Sequence, residues 1–157
     1  MKTYKFFVAA VLFFSSGVAS ARTSFNNIDQ KIDNGVIKVS LQSLKDRHKK
    51  GRIEFTLDVE NISGKPLVYF FPEMECSSDG EKGLLAFPSF GIGERVVNFL
   101  VGQTKRFKYV CRTERSKEPT ETFEFVIRQI FENPNRDGKT TGAELSPGIS
   151  MKVNIGD

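Results

Sequence analysis

Only one histidine, two cysteines and no tryptophan occur among the 157 residues. Each scarcity removes a class of chemistry. His48 stands in the polar run "KDRHKKGR" (45–52), with no serine or cysteine motif beside it for an imidazole to activate, so Ser-His and Cys-His catalysis is not expected. The cysteines, Cys76 and Cys111, form no CxxC pair and lack the neighbouring His or Cys that a metal cluster needs, which argues against redox and zinc sites. The Gly-containing turns, "GIGE" among them, lack the lysine pattern of a phosphate loop. Acidic side chains fall mainly on outward strand positions or in turns, where solvation explains them. The chain is therefore not expected to be an enzyme, and it shows no internal repeat.

At the N-terminus, Lys2 and Lys5 precede the apolar run "FFVAAVLFF" and the small-residue stretch "SSGVASA". Charge, short apolar run and an Ala19-x-Ala21 site in that order predict a cleaved signal peptide over residues 1–21; the apolar run is too short to span a bilayer. No second run of membrane length follows, so the mature protein is expected to be periplasmic or secreted and without a transmembrane segment. Two of the 23 basic residues leave with the signal, so the mature chain carries 21 against 19 acidic ones, a net charge of +2 rather than +4. With the basic residues dispersed, nucleic acid is not an expected partner. The exception is "KDRHKKGR", read as a solvated hairpin turn in preference to a polyanion-binding or anionic-surface patch.

Period-two alternation dominates the rest, the mark of strands with one buried face. Ile53, Phe55, Leu57 and Val59 alternate with Glu54, Thr56, Asp58 and Glu60; ahead of them Ile37, Val39 and Leu41 do the same. The basic turn ending at Gly51 joins these two segments as an antiparallel hairpin. "LVYFF" is nearly continuous in apolar character and predicts a central strand. "GLLAFPSF", "RVVNFL" and "TKRFKYVCR" read as further strands. "ETFEFVIRQIFE" also satisfies helical spacing, but its β-branched and aromatic content favours a strand. "GISMKVNI" closes the chain with clean alternation, and residues 22–34 read as a flexible leader. Single-domain length and eleven phenylalanines after cleavage supply one aromatic-rich core over residues 35–157.

Seven to eight short strands separated by turn signals predict an all-β fold, a single antiparallel β-sandwich. "FTLDVENISGKPL", "GQTKRFKYV" and "PGISMKVNI" resemble the strand and turn phrases of bacterial immunoglobulin-like or fibronectin-like sandwich domains, from about Val36 to Ile155. That resemblance implies an immunoglobulin-like architecture and no particular activity. "VENISGKPL" is also similar to a phrase in a bacterial proteinase-inhibitor family of that architecture.

In an oxidising compartment two cysteines invite pairing, and a Cys76–Cys111 disulfide is expected. Two surfaces are candidates for partner contact. One is "FPSFGIGE", where Phe87, Phe90 and Ile92 stand among Pro and Gly, unless they cap the core. The other is "NPNRDGKTTGAE" (133–144), where Asn135, Arg136 and Lys139 project from a connection long for a hairpin. The same twelve residues match the spacing of an EF-hand calcium loop, with Asn133, Asn135, Asp137, Lys139, Thr141 and Glu144 at the ligand positions and Gly138 at the sharp turn. Asn at the first position weakens the charge, and "LSPG" forbids the following helix. The segment is therefore expected to be an exposed loop between the last two strands, without a required calcium ion or other cofactor.

These features predict a non-catalytic binding or inhibitory module, favoured as a monomer, that acts on another exported protein through loops or an edge strand. A structural or accessory subunit of a surface assembly is the alternative, followed by a weak calcium-binding module or a hydrolase.

Overall fold

The computed structural model describes residues 24–70, 74–86, 96–114, 118–136 and 141–155. The all-β, antiparallel expectation holds, with more strands than the seven to eight expected: the described residues form twelve. They are β1 (Ser24–Asp33), β2 (Ile37–Arg47), β3 (Arg52–Asn61), β4 (Leu67–Phe70), β5 (Met74–Ser78) and β6 (Glu81–Ala86), followed by β7 (Val96–Phe99), β8 (Thr104–Arg112), β9 (Thr122–Ile127), β10 (Ile130–Glu132), β11 (Glu144–Ser146) and β12 (Ile149–Asn154). Eight make one sheet in the order β1-β2-β3-β8-β6-β5-β9-β12, and four make a second in the order β11-β10-β4-β7. The two edge strands of the large sheet, β1 and β12, approach each other, so that sheet is curled almost into a barrel.

The alternation read from the sequence explains most of this. Ile53, Phe55, Leu57 and Val59 of β3 are buried, and the first three lie opposite buried residues of β8, Phe55 against Tyr109 and Leu57 against Phe107. The small sheet covers the inner face of the large one. Its Tyr69 ring packs on Phe99 and Phe107, and its hydroxyl lies 3.1 Å from that of Tyr109 across the two sheets. The described part of "LVYFF", β4, has partners on both sides, β10 and β7, as a central strand should.

Two segments differ from the sequence reading. Residues 24–33, read as a leader, form β1 on the outer edge of β2; the segment is mostly polar, and the register of its partner supplies the order that its own pattern lacks. "ETFEFVIRQIFE" is two strands in different sheets, β9 and β10, separated at Arg128 and Gln129; alternation up to Ile127 cannot reveal that the chain then changes layer. The hairpin of β5 and β6 has a two-residue turn, Asp79-Gly80, with φ of 48° and 82°. Positive φ at both centres is the geometry of a type I′ turn, for which Asp-Gly is a preferred pair.

β6 marks a corner. Its residues Glu81–Gly83 pair with β5, and Leu84–Ala86 pair with β8. Strands on either side of a flat β6 would lie about 9.5 Å apart, yet Cys76 of β5 and Cys111 of β8 have Cα atoms 6.1 Å apart and are joined by a disulfide. The sheet therefore folds at Gly83. A Cβ there would collide with Cys111 Sγ and come within 3.1 Å of Cys76 Sγ, so only glycine admits the bridge.

Candidate interaction surface

The expected Cys76–Cys111 disulfide is present and buried, Cys76 at 2% and Cys111 at 0% exposure. It is a staple inside the core and not a reactive group. Phe87, Phe90 and Ile92 lie outside the described residues, as do Asp137 and Lys139.

Of the remaining residues in 133–144, Asn133 is buried, donates from Nδ2 to Asn98 Oδ1 at 3.0 Å, and donates its backbone N–H to Pro66 O at 2.8 Å. It anchors the end of β10 to β4 and β7. Asn135, Arg136 and Thr141 are exposed, with Arg136 at φ 57°, and Glu144 accepts from Gln129 Nε2 at 3.3 Å. The connection joins β10 to β11, a short strand not expected from the sequence, so it is one hairpin earlier than the last two strands. The structure thus places Asn133 in the core and Asn135, Arg136, Thr141 and Glu144 on the surface. Among the described residues no three His, Cys, Asp or Glu side chains converge.

A different surface is built at the end of the molecule where β3 leaves the large sheet. Asn61, fully buried, accepts at Oδ1 from Ser63 N–H (3.0 Å) and Ser63 Oγ (2.8 Å), and donates from Nδ2 to Lys65 O (2.7 Å) and Leu100 O (3.1 Å). Its backbone N–H donates to Gln103 O, and its carbonyl accepts from Gly102 N–H, both at 3.0 Å. One side chain thus ties the β3–β4 turn to the β7–β8 turn. The second turn is closed by Gln103, which donates its N–H to Leu100 O and accepts Leu100 N–H at Oε1, each at 3.0 Å. With their backbones held, Leu100 and Val101 are 52% and 54% exposed and Ile62 is 40% exposed. β7, the terminal strand of the small sheet, leads directly into this tip.

Sequence reasoning missed the tip because "RVVNFL" reads as one strand, which hides that Leu100 lies beyond its end. The signal was there: in "NFLVGQT" two apolar residues precede a turn glycine, where polar residues usually stand.

His48 borders a second polar cluster. Its Nδ1 is 3.6 Å from Asp46 Oδ2, which accepts the N–H of Thr120 at 2.9 Å, while Thr120 and Ser78 hydroxyls pair at 3.0 Å. Ser78 is thus turned to Thr120, and the cluster ties the β2–β3 turn to the start of β9.

Burial pushes the Tyr69 phenol well above its ordinary value, against a smaller opposing effect of its bond to Tyr109; Tyr109 is raised by burial and then by Tyr69. Both hydroxyls are neutral in folded and unfolded chains below pH ~10; above it the unfolded chain ionises and the folded chain resists. Stability should therefore be flat with respect to these groups up to about pH 10 and fall above it. Urea unfolding between pH 8 and 11 checks this, with Tyr69→Phe/Tyr109→Phe expected to lose less over the alkaline limb.

No family model matches the chain, and no curated protein does. Solved structures share the fold. YcdA of Bacillus subtilis subsp. subtilis str. 168, provisionally described as a lipoprotein, has a TM-score of 0.55 at 8% identity and covers 82% of this chain. The chain spans only 39% of that protein. The yjhA protein of Bacillus subtilis has a TM-score of 0.54 at 13% identity, with 83% of this chain and 99% of that chain covered. At such identities the likeness shows the fold alone. The buried disulfide and the description of YcdA are both consistent with an exported protein.

Proposed function

We propose that this is an exported, non-catalytic binding module of the envelope or extracellular space, delivered by the signal peptide of residues 1–21, that engages another exported protein through the Ile62, Leu100 and Val101 tip. The observation that carries this reading is the rigid display of large apolar side chains: three are exposed at one end while Asn61 holds the backbone beneath them. Apolar surface in water is costly, and a preformed contact loses little entropy on docking. The adjacent terminal strand β7 offers backbone pairing beside it.

Photo-crosslinking from position 101 in intact cells, followed by identification of the adduct, tests the reading. A discrete adduct that disappears in Leu100→Asp is expected, with Leu100→Asp keeping the wild-type melting temperature. An adduct pattern indifferent to Leu100→Asp would overturn it. Adducts only with further copies of this chain, together with concentration-dependent assembly on size exclusion, would favour a structural subunit instead.

A further inference from the structure

The outward face of β2, β3 and β8 carries a charge arrangement that neither folding nor the tip explains. Elsewhere on this face opposite charges meet across strands: Lys38 pairs with Glu60 at 3.3 Å, and Asp58 accepts from Nε and Nη2 of Arg106, each at 2.7 Å. Towards the other end the pattern breaks. Arg47, Arg52 and Arg112 lie directly opposite one another across three neighbouring strands. The next row is Lys45, Glu54 and Val110, and the one after is Ser43, Thr56 and Lys108. Nine positions thus hold five cations and one carboxylate. Like charges directly opposite on a sheet destabilise it.

Glu54 is shared: it meets Arg52 at 2.7 Å and Arg47 Nε at only 3.6 Å. The Nε atoms of Arg47 and Arg52 are shielded from water and have no hydrogen-bond partner. Arg112 forms no ion pair among the described residues. A surface cavity of about 550 Å³ lies over these strands, with Lys45, Arg52, Lys108, Glu54 and Thr56 among its lining residues. Beyond Arg112 the row continues to Leu84, 75% exposed.

We propose that this groove binds a chain-like polyanion carrying repeated phosphate groups. A groove suits a polymer better than a flat lipid surface. The three arginines start from neighbouring strands whose backbones lie about 4.8 Å apart, so successive anionic groups of one chain can neutralise them together. Arginine presents a fork of donors that matches phosphate oxygens, and a tetrahedral phosphate offers oxygens to donors on more than one side. A planar carboxylate already serves the row, as Glu54, and leaves it unbalanced. The site lies at the opposite end of β3 from the tip and does not depend on the protein-binding reading.

Calorimetric titration of the mature protein with inorganic polyphosphate is the test, with orthophosphate at equal phosphate content as the monomeric comparison. Saturable binding of the polymer and not of orthophosphate is expected, weakening steeply as salt rises from about 50 to about 200 mM. Arg52→Gln/Arg112→Gln should weaken it about tenfold, while Lys152→Gln on β12 leaves it unchanged. Because it relieves like-charge repulsion, the double variant should melt no lower than wild type, so lost binding cannot be put down to unfolding. A single-stranded oligonucleotide in parallel distinguishes phosphodiester from phosphoanhydride chains. Absence of saturable polymer binding, equal loss in Lys152→Gln, or equal affinity for polyglutamate would overturn the proposal, the last in favour of an acidic protein. Tighter binding to phosphatidylglycerol vesicles than to polyphosphate would overturn it in favour of a membrane surface.

Discussion

Replacing Phe55 with alanine is expected to lower the unfolding free energy by about 3 to 5 kcal/mol, the range for a buried phenylalanine whose cavity the surroundings only partly fill. Phe55 is 2% exposed and stands at the centre of the aromatic core, with ring centroids 4.9 Å from Phe123, 5.2 Å from Tyr109 and 5.8 Å from Phe125. Three strands of the large sheet, β3, β8 and β9, supply these four rings. Removal of Phe55 deletes packing on every side at once, and the rings around it belong to paired strands that cannot close in without breaking register. Guanidinium denaturation measures the loss. A decrease below about 1.5 kcal/mol would mean that the site collapses freely and that Phe55 is not the centre of the packing.

The Cys76→Ala/Cys111→Ala double variant should lose about 3 to 4 kcal/mol, from the chain entropy of closing a 35-residue loop. The loop contains β6, the sequence outside the described residues that follows it, β7 and most of β8, so the bridge confines segments that end up in both sheets. It also holds the corner at Gly83, where β6 hands over from β5 to β8. Loss of the bridge should therefore raise amide exchange in β5 and β6 more than in the β2–β3 hairpin, which has its own long ladder. Equal unfolding free energies for variant and wild type would show that the bridge adds no constraint, and uniform exchange would remove it from the corner.

Much of the architecture was legible along the chain because a half-buried strand writes its orientation in period two. Ile53 to Val59, Phe107 to Cys111, Phe123 to Ile127 and Ile149 to Val153 all carry that mark, and all are buried as it requires. The disulfide was legible too, since Cys111 shares the parity of Phe107 and Tyr109. The candidate contact surface was not. Asn61 looks like an ordinary turn residue in "VENISGKP", and only its approach to Leu100 and Gln103, some forty positions away, makes it the clamp of the tip.

The alternation of apolar and polar residues by itself determined that this protein is all-β and antiparallel, which side chains enter the core, and that Cys76 and Cys111 stand ready to pair. Tertiary structure alone decided how the strands divide between an eight-stranded and a four-stranded sheet, where β6 turns the corner, and which charges stand side by side. The reason is physical. Burial is a property each strand expresses locally, through one face turned from water, whereas neighbourhood between strands depends on pairing partners and register. Arg47, Arg52 and Arg112 are 5 and 60 positions apart along the chain and become one row only when β2, β3 and β8 lie side by side.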